Sequence, residues 1–185
     1  MSSTLVFWIA VPVLLFWSVG AYNRLVRLRS DAKAAFSAME TELARQVELV
    51  QSCLPADEGQ PASTFGSEDS FWGGLQGAAT QLAASLAAAR QRPLEPEGLA
   101  ALSAAQAVLA MAWERVERDD AHDLAGSRLP ETVTVSRMHL SSQVQAAATQ
   151  FNQAVSRYNQ GIAQFPAVLL AWLFGFKPAQ GMRLA

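Results

Sequence analysis

Apolar positions divide the chain into one uninterrupted hydrophobic run and then stretches of regular amphipathic spacing. Leu5 to Val19 is almost continuously apolar, and no charged side chain occurs from Met1 to Asn23. From Leu25 the pattern becomes a single stripe: Leu25, Leu28, Ala32, Phe36, Met39, Leu43, Val47, Val50 and Leu54. Its spacings of 3, 4, 4, 3, 4, 4, 3 and 4 make an eleven-residue repeat, about 3.67 residues per turn, which keeps one face of a nearly straight helix apolar. No Gly or Pro interrupts Ala21 to Leu54, and Pro55 ends the run. The spacing predicts a helix continuous with the apolar run and reaching roughly 50 Å beyond it.

Three more helices follow from the same reasoning. Pro55 to Gly74 is rich in Gly, Pro and acids and reads as a mobile loop, residues 55–74. Its aromatics Phe65, Phe71 and Trp72 are expected to fold back on the bundle end, with partner anchoring as the other reading. The second helix is predicted from about Leu75 to Gln91, with Leu75, Ala79, Leu82, Leu86 and Ala89 on one side. Pro93 and Pro96 break it. The third carries Leu99, Leu102, Gln106, Leu109, Trp113 and Val116, a heptad stripe with one polar position. The fourth is predicted from after Pro130 to about Gln164, with Leu140, Val144, Ala147, Phe151, Val155, Tyr158, Ile162 and Phe165 on its stripe. Amphipathic helices need one another to bury such stripes. The predicted fold is all-α: an N-terminal transmembrane helix leading into an elongated antiparallel four-helix bundle. Its parts are an anchor over 1–22, a bundle over 23–165 and an apolar C-terminal segment over 166–185. Thr132 to Val135 alternates as a strand would, but has no partner strand.

The apolar run decides where the chain sits. A spanning helix needs roughly 20 such residues, and Ser3 to Tyr22 supplies them. Pro12 in mid-span is tolerable in lipid, and Trp8, Trp17 and Tyr22 suit the interfaces. A cleaved signal peptide would carry positive charge ahead of its apolar stretch; here Arg24, Arg27, Arg29 and Lys33 come after it. A retained anchor is the expectation, single-pass in the inner (cytoplasmic) membrane. The short N-terminus lies outside and the bundle in the cytoplasm by the positive-inside rule.

Charge and chemistry narrow the function. The net charge is -2, which gives no electrostatic footprint for nucleic acid. Thr132 to Ala185 holds four basic residues and no acid. The single Cys53 and the two histidines, His122 and His139, leave little for disulfide or zinc chemistry. Asp119, Asp120, His122 and Asp123 fall within five successive positions and splay round a helix end, as a solvated charge run does. Gly73-Gly74 lacks the following Lys-Ser of a phosphate loop, and Ser141-Ser142 has no nucleophile elbow around it. The reading is non-enzymatic, with no cofactor, metal or catalytic residue assigned.

Particular residues carry a resemblance. Tyr22-Asn23-Arg24-Leu25-Val26, directly after the apolar run, resembles the start of the LemA family's soluble region. Phe151-Asn152 and Tyr158-Asn159 resemble that family's paired Tyr-Asn motif seven residues apart. Phe165-Pro166 and Leu170 to Phe176, with Trp172, Phe174 and Phe176, look like its closing signature. Phe36 and Phe151 stand where members usually have Trp and Tyr, so the chain reads as a divergent member. The resemblance covers about Tyr22 to Leu54 and Val144 to Phe176, with no specific match between. It implies a bacterial membrane-anchored helical protein with no established enzymatic activity.

The motif can also be read physically. Residues seven apart share a helix face, so Asn152 and Asn159 are expected to bridge toward the first helix near Asn23 and fix register. Phe165 to Phe176 is too short to span a bilayer. It caps the bundle, enters the membrane interface beside basic Lys177 and Arg183, or docks on a partner. The expected role is a membrane-anchored scaffold or interaction module. The alternative is an adaptor or regulator of a membrane enzyme such as a protease or transporter. Expected partners are the membrane, an unidentified membrane or cytoplasmic protein and a second copy of the chain.

Overall fold

The computed structural model describes residues 2–53, 67–122, 130–165 and 167–184. The side chains of 2–7, 10, 67–71 and 119–122 lie outside that description. Among the described residues there are five helices and no strand: α1 (Ser2–Cys53), α2 (Ser67–Gln91), α3 (Pro96–His122), α4 (Glu131–Ala163) and α5 (Ala167–Leu173). Thr132 to Val135 is helical, because the stripe that begins at Leu140 extends back to a half-buried Val133.

The eleven-residue stripe is the spine of the core. Leu25, Ala32, Phe36, Met39, Leu43, Val47 and Val50 are buried, and Leu28 is half-buried against them. Leu54 and the segment to Gly66 lie outside the described residues. Burying side chains of this size contributes about 1.5–3 kcal/mol each, so the stripe outweighs the modest propensity of its β-branched residues. α1 runs without a break through Pro12. Among the described residues, no helix is long and apolar enough to cross a membrane; the first residues of the apolar run, from Leu5, are among those whose side chains are not described.

α4 lies antiparallel on α1. The rings of Phe36 and Phe151 meet edge to face at 5.8 Å. At the other end Gly161 is buried so close to α1 that a Cβ there would stand 2.6 Å from Leu28 Cδ1. α2 packs on α1, and α3 packs on α2. Arg90 Nε donates to Glu40 Oε1 at 2.6 Å between α2 and α1. The polar position of the α3 stripe is a cross-bundle pair: Gln106 Nε2 donates to the buried Gln46 Oε1 at 2.9 Å. α3 and α4 stay apart, with no pair of their Cα atoms within 8 Å. Arg137 reaches across, pairing with Glu117 and lying 5.6 Å from the Trp113 ring centroid.

Two boundaries differ from the sequence reading. α2 starts at Ser67 rather than Leu75, so residues 67–74 of the expected loop are helical. Gly73 and Gly74 have open space where a Cβ would go. Their cost of about 1 kcal/mol each is offset by the half-buried Trp72 and the buried Leu75 beside them. Trp72 packs on the core as expected, while Phe65 and the Phe71 side chain lie outside the description. Phe165 is the second difference: the spacing puts it on the α4 stripe, yet it is 81% exposed. α4 ends at Ala163, Gln164 turns extended with φ -74° and ψ 132°, and the next side chain swings outward.

Candidate functional site

The seam between α3 and α4 is closed by the chain's own C-terminal residues. After α5, Gly175 takes a positive φ of 68°, a conformation open to glycine at little cost. The chain then runs as an extended strap, residues 176–184, antiparallel to α4. Asn159 Oδ1 accepts from the Ala179 N–H at 2.9 Å, and its Nδ2 donates to the Ala179 carbonyl at 2.8 Å. Asn152 repeats this on Met182, accepting at 2.8 Å and donating at 2.9 Å. Beside the Asn159 clip, where the strap begins, the Tyr158 hydroxyl donates to the Lys177 carbonyl at 2.9 Å. On the far side the Arg183 N–H donates to Ser103 Oγ of α3 at 3.1 Å.

The spacing explains why the clips work. Seven residues of helix rise about 10.5 Å, and three residues of extended chain span about 10 Å. Asn152 and Asn159 therefore meet Ala179 and Met182 in register. Each amide matches one N–H and one C=O of the same residue, so the clips read backbone rather than side chain. Gly181 lets the strap lie against the Asn152 clip, since a Cβ there would sit 2.5 Å from Asn152 Oδ1. Ala179 and Met182 are buried. Burial holds the Tyr158 hydroxyl above the usual tyrosine range, and the nearby Arg29 charge pulls it partly back.

The second feature is apolar and outward-facing. α5 packs on α1 and α4 through the buried Ala171. Tyr22 stacks on Phe174 at 4.9 Å and on Phe176 at 6.1 Å, and Arg29 lies 5.8 Å over the Phe176 ring. Leu169, Leu173 and Phe174 remain exposed, and Trp172 is 85% exposed. Beside them α1 exposes Val13, Phe16 and Trp17. These line a groove of about 830 Å³ with Phe165 and Ala167.

The motif residues thus separate into three groups. Asn152, Tyr158 and Asn159 come together on the strap, while Phe151 is core. Tyr22, Phe174 and Phe176 form an aromatic cluster, with Phe165 and Trp172 on the open face; Pro166 lies outside the described residues. The expected bridge between the asparagines and the first helix is corrected: Asn23 is exposed and makes no side-chain hydrogen bond, because the strap backbone satisfies both amides instead. The expected single C-terminal segment is also two parts, an exposed α5 and a docked strap. Ser103, Ala179, Gly181 and Met182 were missed. Gly181 was the available signal, as a lone glycine in a stretch without helical spacing. Of the acidic cluster, Asp119, Asp120 and His122 close α3 with side chains outside the description, and Asp123 lies beyond the described residues.

Fold and site together define an all-helical bundle whose last seam is closed by a backbone-clipped strap. The LemA family model matches residues 74–184, and the chain belongs to the LemA family. The match takes in the middle of the chain, where the sequence reading found no specific likeness, together with the Asn motif, α5 and the strap. It does not include α1, where Tyr22-Asn23 had suggested the family. No curated protein and no solved structure matches the chain.

Proposed function

We propose that this LemA-family chain is a non-enzymatic, membrane-anchored helical scaffold. Its apolar start, through Tyr22, serves as a single-pass anchor, and its bundle stands in the cytoplasm. The observation that carries the reading is the contrast between the two ends of the molecule's apolar surface. The bundle buries its own stripes almost completely, yet α5 and the start of α1 leave a shared apolar face open. An exposed patch of that kind is costly unless used, and beside Arg24, Arg27, Arg29 and Lys33 it suits the bilayer interface. The sequence supports the anchor with an uncharged run from Met1 to Asn23 followed by those basic residues.

Two measurements test the proposal. A reporter active only in the cytoplasm, fused at Ala185, should be active; activity of a periplasm-specific reporter there overturns the topology. Co-purification in mild detergent should return self-associated chain. A stoichiometric membrane enzyme in its place would make the protein an adaptor rather than a scaffold.

A further inference from the structure

The chain has two lysines, Lys33 and Lys177, and both line one cavity of about 570 Å³, together with Arg29 and Arg92. One acid, Glu95, lies among these four cations and bonds to Arg92 at 2.8 Å. Such a gathering is notable in a chain whose net charge is -2. Its cations come from three separate parts of the fold: α1, the turn between α2 and α3, and the beginning of the strap. Pro96, at the N-terminus of α3, also borders the cavity, where a 27-residue helix adds the positive end of its dipole. Arg29 is held in place by its stacking on Phe176, and the clip from Tyr158 to the Lys177 carbonyl fixes the strap where it enters.

We propose that this cavity binds a phosphate group, and that its ligand is the headgroup of an anionic phospholipid. Guanidinium groups match phosphate oxygens in pairs, and ammonium groups add compact point charges. The volume lies within the usual range for small-ligand sites, about 300–1,000 Å³. Height favours the lipid. Arg29 stands seven residues beyond Tyr22, about 10 Å along the helix. The headgroup layer is roughly 5–8 Å deep on each side of the hydrocarbon core, and long basic side chains reach back toward it. The aromatic cluster of Tyr22, Phe174 and Phe176 lies between the cavity and the apolar face, so acyl chains have a neighbouring surface. The lipid source rests on the membrane reading; phosphate binding by the cavity does not.

Because the only two lysines both line the cavity, their ammonium groups are direct reporters. The full chain in neutral detergent is reductively ¹³C-methylated, which keeps the lysine charge. It is then titrated separately with dihexanoyl phosphatidylglycerol, dihexanoyl phosphatidylcholine and inorganic phosphate. Both lysine signals should move with phosphatidylglycerol, and Lys33→Gln and Lys177→Gln should each weaken that binding about fivefold. Arg115→Gln, at a separate cavity on α3, should leave it unchanged. Both lysines are exposed, so neither variant should alter the helical circular dichroism signal. Equal responses to phosphatidylcholine, or unchanged binding in both lysine variants, would overturn the proposal. Binding of inorganic phosphate as tight as that of phosphatidylglycerol supports the phosphate site and overturns the lipid source. That arm needs no bilayer, so it stands even where the anchor reading fails.

Discussion

Removing the two clips should release the strap while leaving the bundle folded. Asn152→Ala and Asn159→Ala each delete two hydrogen bonds to a single strap residue. At about 0.5–1.5 kcal/mol per bond, one substitution costs about 1–3 kcal/mol of strap docking. Water can reach the freed strap once it lifts, which limits the penalty to the docking energy itself. Met182 and Ala179 supply much of that energy by burial, with the Met side chain worth about 1.5–3 kcal/mol. The double variant should therefore lose less than the sum of the singles, because the second clip has little left to hold. Amide hydrogen exchange on the full chain in detergent reads this directly. The Ala179 and Met182 amides, which donate to the asparagines, should be protected in the wild type. A single variant should speed exchange at both by roughly 5–150-fold, and the double variant should bring them near the unprotected rate. Amides of α1 and α4 around Phe36 and Phe151 should stay slow. Unchanged exchange at Ala179 and Met182 in the double variant would refute the clip mechanism, and collapse of α1–α4 protection would refute the strap's separateness.

Further outcomes are expected. Gly181→Ala places a Cβ 2.5 Å from Asn152 Oδ1, so it should loosen Met182 as Asn152→Ala does, and the two changes combined should add little in the same exchange measurement. Met39→Asp buries an unpaired charge in the stripe and should cost several kcal/mol, seen as a steep fall in Tm of the full chain. Stability should hold below pH ~10, the ordinary tyrosine pKa, and fall above it: the raised Tyr158 pKa means the unfolded chain gives up its proton first, and the loss is complete above the folded pKa. Tyr158→Phe should cost about 1 kcal/mol at neutral pH and flatten that alkaline fall in a denaturant titration. Trp172→Ala, at an 85% exposed site, should change stability by less than about 0.5 kcal/mol yet weaken binding to anionic vesicles; a large loss of Tm instead would mean that Trp172 caps the bundle.

Regular spacing made the helices legible. The Leu25-to-Val50 stripe announced both a helix and its buried face because the same period that names the conformation also names the partner side. The start of α2 was hidden because local cost and tertiary gain oppose each other at Gly73, Gly74 and Leu75, and sequence shows only the first. The motif asparagines were found, but their partner was not. A carboxamide that binds backbone leaves no mark on the side chains it holds, and Pro178 to Leu184 has no period to display. Phe165 was misplaced because the stripe continues arithmetically past the point where Gln164 leaves the helix.

The unbroken course of α1 has a mechanical consequence. Residues before and after Tyr22 belong to one rod with no linker, so the bundle cannot swivel independently of whatever grips the rod's first part. From Asn23 to Cys53 that rod extends about 46 Å at 1.5 Å per residue. A tilt of about 20°, ordinary for a helix seated in a bilayer, would carry its far end sideways by about 16 Å. The clefted end near the strap's entry would move only a little, close to the pivot. For the proposed anchor, bilayer thickness or tension felt at Trp8 to Trp17 would therefore be converted into a broad sweep of the distal tip, with the helix acting as a lever and the strap-sealed bundle as its stiff arm.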